Sequence, residues 1–188
     1  SLKVEIKSSI TDLVTEVDRR SEEMLIEKIE KNFPKHSILS EECGEVEKNS
    51  EYRWIIDPLD GTNNYAHGLP IFAISIALEY KNLPIMALIH APYLQETYWA
   101  MKNLGAFCNG QSISVSNNQL LEESLVATGF PYSMNEDKDY GRQMRYFSTI
   151  APKVRGIRRL GAAAYDLCLV AAGVLDGYWE VGLNHWDF

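Results

Sequence analysis

Two aspartates, Asp57 and Asp60, lie three positions apart in the stretch WIIDPLDGTNNY, which runs from Trp54 to Tyr65. Asp57 closes an apolar run, Pro58 is expected to stop the strand ladder there, and Leu59 presents a carbonyl between the two carboxylates. Hard oxygen donors packed this closely can point to one side, which is the donor set Mg²⁺ takes while keeping some of its waters. Gly61 permits an unusual turn, and Thr62 with Asn63 can open a short helix whose first N–H groups make a ready anion site. Metal ligands and an anion site on one loop point to a phosphate bridged to metal. The same residues also suit a plain Asp-Pro/Asp-Gly turn in which Asp60 caps its own backbone. More acids occur elsewhere. Glu41-Glu42 follows the apolar run SILS, at a strand end where α/β proteins gather sites, although such pairs are commonly just solvated. Asp187 follows Trp186, whose bulk can fix the backbone, and Asp18 sits behind a helix start, where it reads as a cap alone.

Several elements must position these acids. Thr15 and Asp18 bracket a helix start, Leu25, Ile29 and Phe33 repeat on one face, and Pro34 ends the helix. SILSEE and YRWIID read as short strands, each delivering acids at its C-terminal end. IFAISIALEY alternates Phe72, Ile74, Ile76 and Leu78 with Ala73, Ser75 and Ala77, so one face is large and the other lets something approach closely. LPIMALIHAP and ETYWAMK are two further strands, GRQMRYFSTIA and GAAAYDLCLVAAG are helices, and DGYWEVG is a last strand. The polar segment from Gly129 to Asp139 suits a joint between lobes, giving an N-terminal α+β lobe over residues 1–130 and the start of a C-terminal α/β lobe over 131–188. Irregular interleaving of strands and helices indicates layered α and β rather than a repeating βαβ wheel.

Composition excludes several classes. The 188 residues, 46% apolar, suffice for one good core or two closely joined lobes. No apolar run approaches the ~20 residues of a membrane span, and the N-terminus lacks secretory character. Three cysteines without CxxC spacing favour a reducing, cytoplasmic setting and argue against structural zinc, and Cys43 is expected to be a buried structural thiol. A formal net charge of -8 argues against nucleic acid as an unaided partner. Acidic proteins that handle phosphate need a cation in between.

Taken together, KSSITDLVTEVD, the acids of EEC, WIIDPLDGTNNY, GAFCNGQSISVS, RRLGAAAYDLCLVAAGVLDGYWE and HWDF resemble the inositol monophosphatase family of lithium-sensitive, magnesium-dependent phosphatases, across nearly the whole chain. The resemblance implies an αβαβα sandwich, a homodimer and two or three Mg²⁺ per site. It implies that Glu41, Asp57 and the Leu59 carbonyl hold a first metal, and that Asp57, Asp60 and Asp187 hold a second. It makes Glu41 and Thr62 the groups that orient and deprotonate the attacking water, with Gly61 and Thr62 cradling the phosphate. Gly161, Ala162, Ala163 and Glu180 match positions lining the hydroxyl-bearing part of the substrate, a phosphorylated polyol or sugar. Relatives act on inositol monophosphate, fructose 1,6-bisphosphate, histidinol phosphate, NADP or 3′-phosphoadenosine phosphate. The unadorned DGTNNYAHGLP block is most like the inositol-monophosphatase type.

Two departures stand out. Ser40 replaces the usual glycine before the Glu pair, tolerable unless φ there is positive. Against the family's length the chain also reads as truncated at both ends. A polypeptide ending at Phe188 is then expected to hold Asp187 loosely, weaken the second metal and hydrolyse phosphate poorly.

Overall fold

A computed structural model of the chain describes residues 4–6, 13–130 and 137–188, with side chains over 16–130 and 140–188. Residues 7–12 of the KSSITDLVTEVD segment and 131–136 of the expected joint lie outside the described residues. Strands β1 (Val4–Ile6) and β2 (Leu13–Thr15) form an antiparallel pair ahead of helix α1 (Glu16–Asn32). Strands β3 (Ser37–Ser40), β4 (Gly44–Val46) and β5 (Tyr52–Asp60) then lead into the short helix α2 (Thr62–Ala66). A meander follows: β6 (Ala73–Tyr80), β7 (Leu83–Ala91), β8 (Glu96–Met101), β9 (Gly105–Cys108) and β10 (Gln111–Ser112). The chain closes with β11 (Leu125–Thr128), α3 (Asp137–Ile150), β12 (Gly156–Arg158), α4 (Ala163–Ala171) and β13 (Gly177–Trp179).

Strands β3 to β10 form one sheet in the order β10-β9-β8-β7-β6-β5-β3-β4, antiparallel throughout except between β3 and β5. The period-2 pattern separates its faces. Trp54, Ile56, Ile76 and Leu78 turn to one side and pack with Ile38 against Leu25, Ile26 and Ile29 of α1. Ala73, Ala91 and Tyr98 turn to the other and pack against Ala162, Tyr165 and Cys168 around α4. The small face of β6 is therefore where a helix lies close, as its alternation predicts. Strands β12, β11 and β13 form a second, parallel sheet. Helix α4 contacts both sheets, and α3 sends Gln143 to Thr128 and Gly129 at the end of β11. The layers run α1, large sheet, α4, small sheet, α3, the expected αβαβα sandwich. The small sheet straddles residue 130, because β11 precedes that boundary while β12 and β13 follow it.

Pro58 does not stop β5. The ladder with β6 breaks after the Asp57–Ser75 pair and resumes at Asp60–Ala73, with a bulge between that absorbs the missing N–H of proline. Cys43 is exposed, not buried, because it lies in the turn between β3 and β4. That turn is pinned from α1. Glu22 is buried, and its Oε1 accepts from Ser40 Oγ and from the amides of Glu42 and Cys43, each at 3.1 Å. Ser40 has no positive φ, so it replaces glycine without backbone strain and adds a hydroxyl to this network. Glu22→Ala leaves the buried Ser40 hydroxyl and two partly buried amides without their acceptor and is expected to cost about 2 kcal/mol of stability, read by urea denaturation. A loss below ~0.5 kcal/mol would show that water replaces the carboxylate.

Candidate active site

Odd-numbered residues of β5 face α4, so Asp57 enters the space between sheet and helix, where only 3% of it is exposed. The bulge brings Asp60 into the same space. Asp57 Oδ1 accepts from Leu59 N at 2.9 Å. Asp60 does not cap its own turn. Its Oδ1 accepts from Ala163 N at 3.0 Å, and its Oδ2 from Ala164 N at 2.8 Å and Tyr165 N at 3.4 Å. Helix α4 has no side-chain cap from its N-cap residue Ala162, so a carboxylate from the large sheet satisfies its orphan amides and meets its positive end. Glu41 N donates to Ile56 O at 3.2 Å, which sets Glu41 beside the end of β5, and its side chain shares a hydrogen bond with Asp57. Asp187 Oδ2 accepts from Asn184 N at 2.6 Å in the turn after β13.

These acids disturb one another. Burial pushes Asp57 well above the carboxylate range, and the charges of Glu41 and Asp60 add to it. Asp60 is pushed up to about 8 by burial and then by Asp187, against the three amides that favour its charge. Asp187 is pushed up to about 6, again by burial first, with Glu41 and Glu180 contributing. Glu41, Asp57, Asp60 and Asp187 are thus coupled through their charges.

Thr62 Oγ1 lies 2.8 Å from Asp18 Oδ1 and 2.9 Å from Leu59 O. Asp18 is fully buried and is more than a cap: its carboxylate sits behind the Thr62 hydroxyl. Gly61 sits at φ +89°, which strains any other residue, and a Cβ there would be tight, 3.0 Å from Ile71 O and 3.2 Å from Ala162 Cβ. Asn64 clamps the same loop by donating to Ile71 O and Leu160 O, both at 2.7 Å. Gly161, Ala162 and Ala163 are thereby held against Gly61 and Asp60. Glu180 follows β13 and accepts from Tyr178 OH, and a Cβ built at Gly129 would overlap its carboxylate. Asp166 is buried near Glu180, is pushed up to about 7 by burial and by that charge, and has an Oδ1 without a hydrogen-bond partner. Asp18, Asn64 and Asp166 were not singled out as site residues from sequence. Asp18 carried a signal as the last residue of KSSITDLVTEVD, and Asp166 as the one charge in GAAAYDLCLVAAG.

The family model described as "Inositol monophosphatase family" matches residues 1–188. The chain belongs to the inositol monophosphatase family. It is 43% identical over 179 residues to the Nus factor SuhB of Pseudomonas aeruginosa, covering 94% of this chain and 66% of that protein. It is 44% identical over 176 residues to the fructose-1,6-bisphosphatase/inositol-1-monophosphatase of Aquifex aeolicus, with the same two coverages, 94% and 66%. The chain therefore spans about two thirds of the length of these curated relatives. The crystal structure of the extragenic suppressor protein suhB from Bartonella henselae superposes with a TM-score of 0.93 at 39% identity, covering 100% of this chain and 71% of that one. Two more distant structures, each 25% identical with a TM-score of 0.85, are an IMPase/NADP phosphatase complexed with Mg²⁺ and phosphate and a staphylococcal inositol monophosphatase in a LiCl-soaked inhibitory complex. They cover 100% and 99% of this chain, and 69% and 68% of their own.

Whether these family residues suit a cation is decided by donor chemistry and charge. Among the described residues, no group of three His, Cys, Asp or Glu side chains is already converged as a metal cage. The donors are nonetheless all hard oxygens, and their mutual repulsion must be relieved by protons or by a cation. They fit Mg²⁺. The raised values fix the sign of a pH effect. Unfolded aspartates titrate near ~3.9, so the folded, metal-free protein binds more protons between that value and its own values of about 6 and 8. Its stability is therefore expected to fall as pH rises through this window. Melting temperatures in chelator should drop from pH 5.5 to 8.5, Mg²⁺ should raise them more at the higher pH, and Asp60→Asn should flatten the slope.

Proposed function

We propose that this chain carries the catalytic centre of a Mg²⁺-dependent phosphate monoester hydrolase acting on a phosphorylated polyol, with inositol 1-phosphate as the preferred substrate. The observation that carries the reading is the acid cluster of buried Asp57 and Asp60 with half-buried Glu41 and Asp187, and the Thr62–Asp18 pair beside it. Glu41, Asp57, Asp60, Asp187 and the Leu59 carbonyl would hold two or three Mg²⁺, which supply charge stabilisation and a nucleophile at neutral pH. The remaining work falls to the chain itself. When Thr62 donates its single proton to Asp18, its oxygen lone pairs are free to accept from the attacking water. The pair then orients that water and gives its proton a path to a buried carboxylate, and Glu41 stands ready as a second acceptor. Gly61 and Thr62 open α2 and would cradle the phosphate. Glu180, with Gly161, Ala162 and Ala163 opposite, would accept from substrate hydroxyls.

A second substrate, fructose 1,6-bisphosphate, is favoured by Arg159, an exposed cation whose charge reaches Glu180 and Asp166 and could meet a second phosphate. A panel of the two esters ranks them. A homodimer and a cytoplasmic setting belong to the same reading. Exhaustive chelation is expected to abolish phosphate release from inositol 1-phosphate, Mg²⁺ to restore it and lithium to inhibit it. Full turnover without divalent metal would overturn the reading. Thr62→Ala is expected to lower kcat ~10²-fold with KM nearly unchanged, because the hydroxyl acts on the transition state. A raised KM with normal kcat would make Thr62 a binding residue instead.

A further inference from the structure

Glu96 opens β8, on the far side of the large sheet from β3 and away from the acid cluster. Its Oε2 accepts from two phenols, Tyr98 OH and Tyr165 OH, each at 2.9 Å. Both tyrosines are buried, with their rings edge to face at 6.2 Å. Tyr98 belongs to β8 itself. Tyr165 belongs to the first turn of α4, and its backbone N–H is one of the three that hold Asp60. Because Ala162 supplies no cap, that turn has two side-chain anchors among the described contacts: Asp60 on its amides and Glu96 on the Tyr165 hydroxyl.

We propose that Glu96 is a positioning residue, which through the Tyr165 hydroxyl fixes the first turn of α4 and thereby aims the amides that orient Asp60. Glu96 is half-buried, and two O–H donors from buried tyrosines converge on one of its oxygens, which makes charge-assisted bonds of both. Two hydroxyls converging on one charged acceptor make a short, directional tether, whereas apolar packing alone would let α4 slide along the small-residue face of Ala73, Ala87 and Ala91. The path from Glu96 to Asp60 crosses one residue. Its phenol end and its amide end belong to the same side chain and backbone, so rotation of the turn moves both.

The inference rests on Asp60 being a metal ligand, and its test separates that premise from the tether. Two quantities are measured on Tyr165→Phe, Glu96→Gln and Tyr98→Phe: hydrogen exchange of the Ala163, Ala164 and Tyr165 amides without metal, and Mg²⁺ affinity by calorimetry. Tyr165→Phe is expected to speed exchange at these amides ~10-fold and to weaken Mg²⁺ about fivefold, less than the ~10- to 100-fold typical of a partner bonded directly to a ligand. Glu96→Gln keeps an acceptor without its charge and should fall between Tyr165→Phe and wild type. Tyr98→Phe removes the other phenol but leaves the Glu96–Tyr165 bond, and should stay closer to wild type than Tyr165→Phe in both measurements. Unchanged amide exchange in Tyr165→Phe overturns the proposal, as does an equal effect of Tyr98→Phe, which would mark a general loss of core stability. Amide exchange that responds while wild type binds no Mg²⁺ would overturn the metal reading of Asp60 and with it the positioning role. Amide exchange and Mg²⁺ affinity that both respond, in a wild type hydrolysing no phosphate ester, support the positioning role and count against the proposed activity alone.

Discussion

Repulsion among buried carboxylates is the constraint around which the rest of the structure is arranged. Burial alone raises the cost of each charge on Asp57, Asp60 and Asp187, and their proximity raises it further. The fold answers part of that cost with aligned amides, from Leu59 for Asp57, from the first turn of α4 for Asp60 and from Asn184 for Asp187. Each amide stabilises charge without neutralising it. What remains is a charge repulsion that a bound cation would relieve.

The layering serves this arrangement. Helix α4 can enter between the two sheets because β6 and β7 present Ala73 and Ala91 to it, and its amide end then falls beside the bulge of β5. Three side chains lock the pieces together: Ser21 on Pro58 O, Glu22 on the Glu41 turn, and Asn64 on the Leu160 carbonyl. The acids come from β5, the turn after β3 and the turn after β13, so no single segment contains the site. A bulge, a glycine at φ +89° and a buried amide clamp are local departures from regular structure, and all three fall within the site.

Relatives named as phosphatases and relatives named as Nus factors match the chain at nearly equal identity, 44% and 43%. Identity and fold therefore do not choose between them, since one scaffold hosts different tasks. What the site itself adds is an acid cluster and a hydroxyl backed by a fully buried aspartate, the features on which the proposed phosphoester hydrolysis rests.

Local rules carried far in this protein. Alternation along β6, the stop at Pro34, the apolar helix GAAAYDLCLVAAG and the acids at strand ends were legible because each depends on neighbours within a few residues. The motif around Asp57 and Asp60 was legible for the same reason, and its resemblance to a family supplied Asp187, Glu41 and Glu180. The short strands β11 and β12 were not, because with only 4 and 3 residues they exist by pairing with each other and, for β11, with β13. Neither was the strand's passage through Pro58, which depends on Ala73 taking up the ladder on the far side of the bulge. Asp18 read as a cap because its partner, Thr62, lies 44 positions away. The partner of Asp60 lies 103 positions away, at the end of a helix with no cap of its own. Sequence determined which groups could carry charge and which segments could be strand or helix. Tertiary structure decided which charges share one desolvated space and which amides face them, because those energies depend on distance through space and not on separation along the chain.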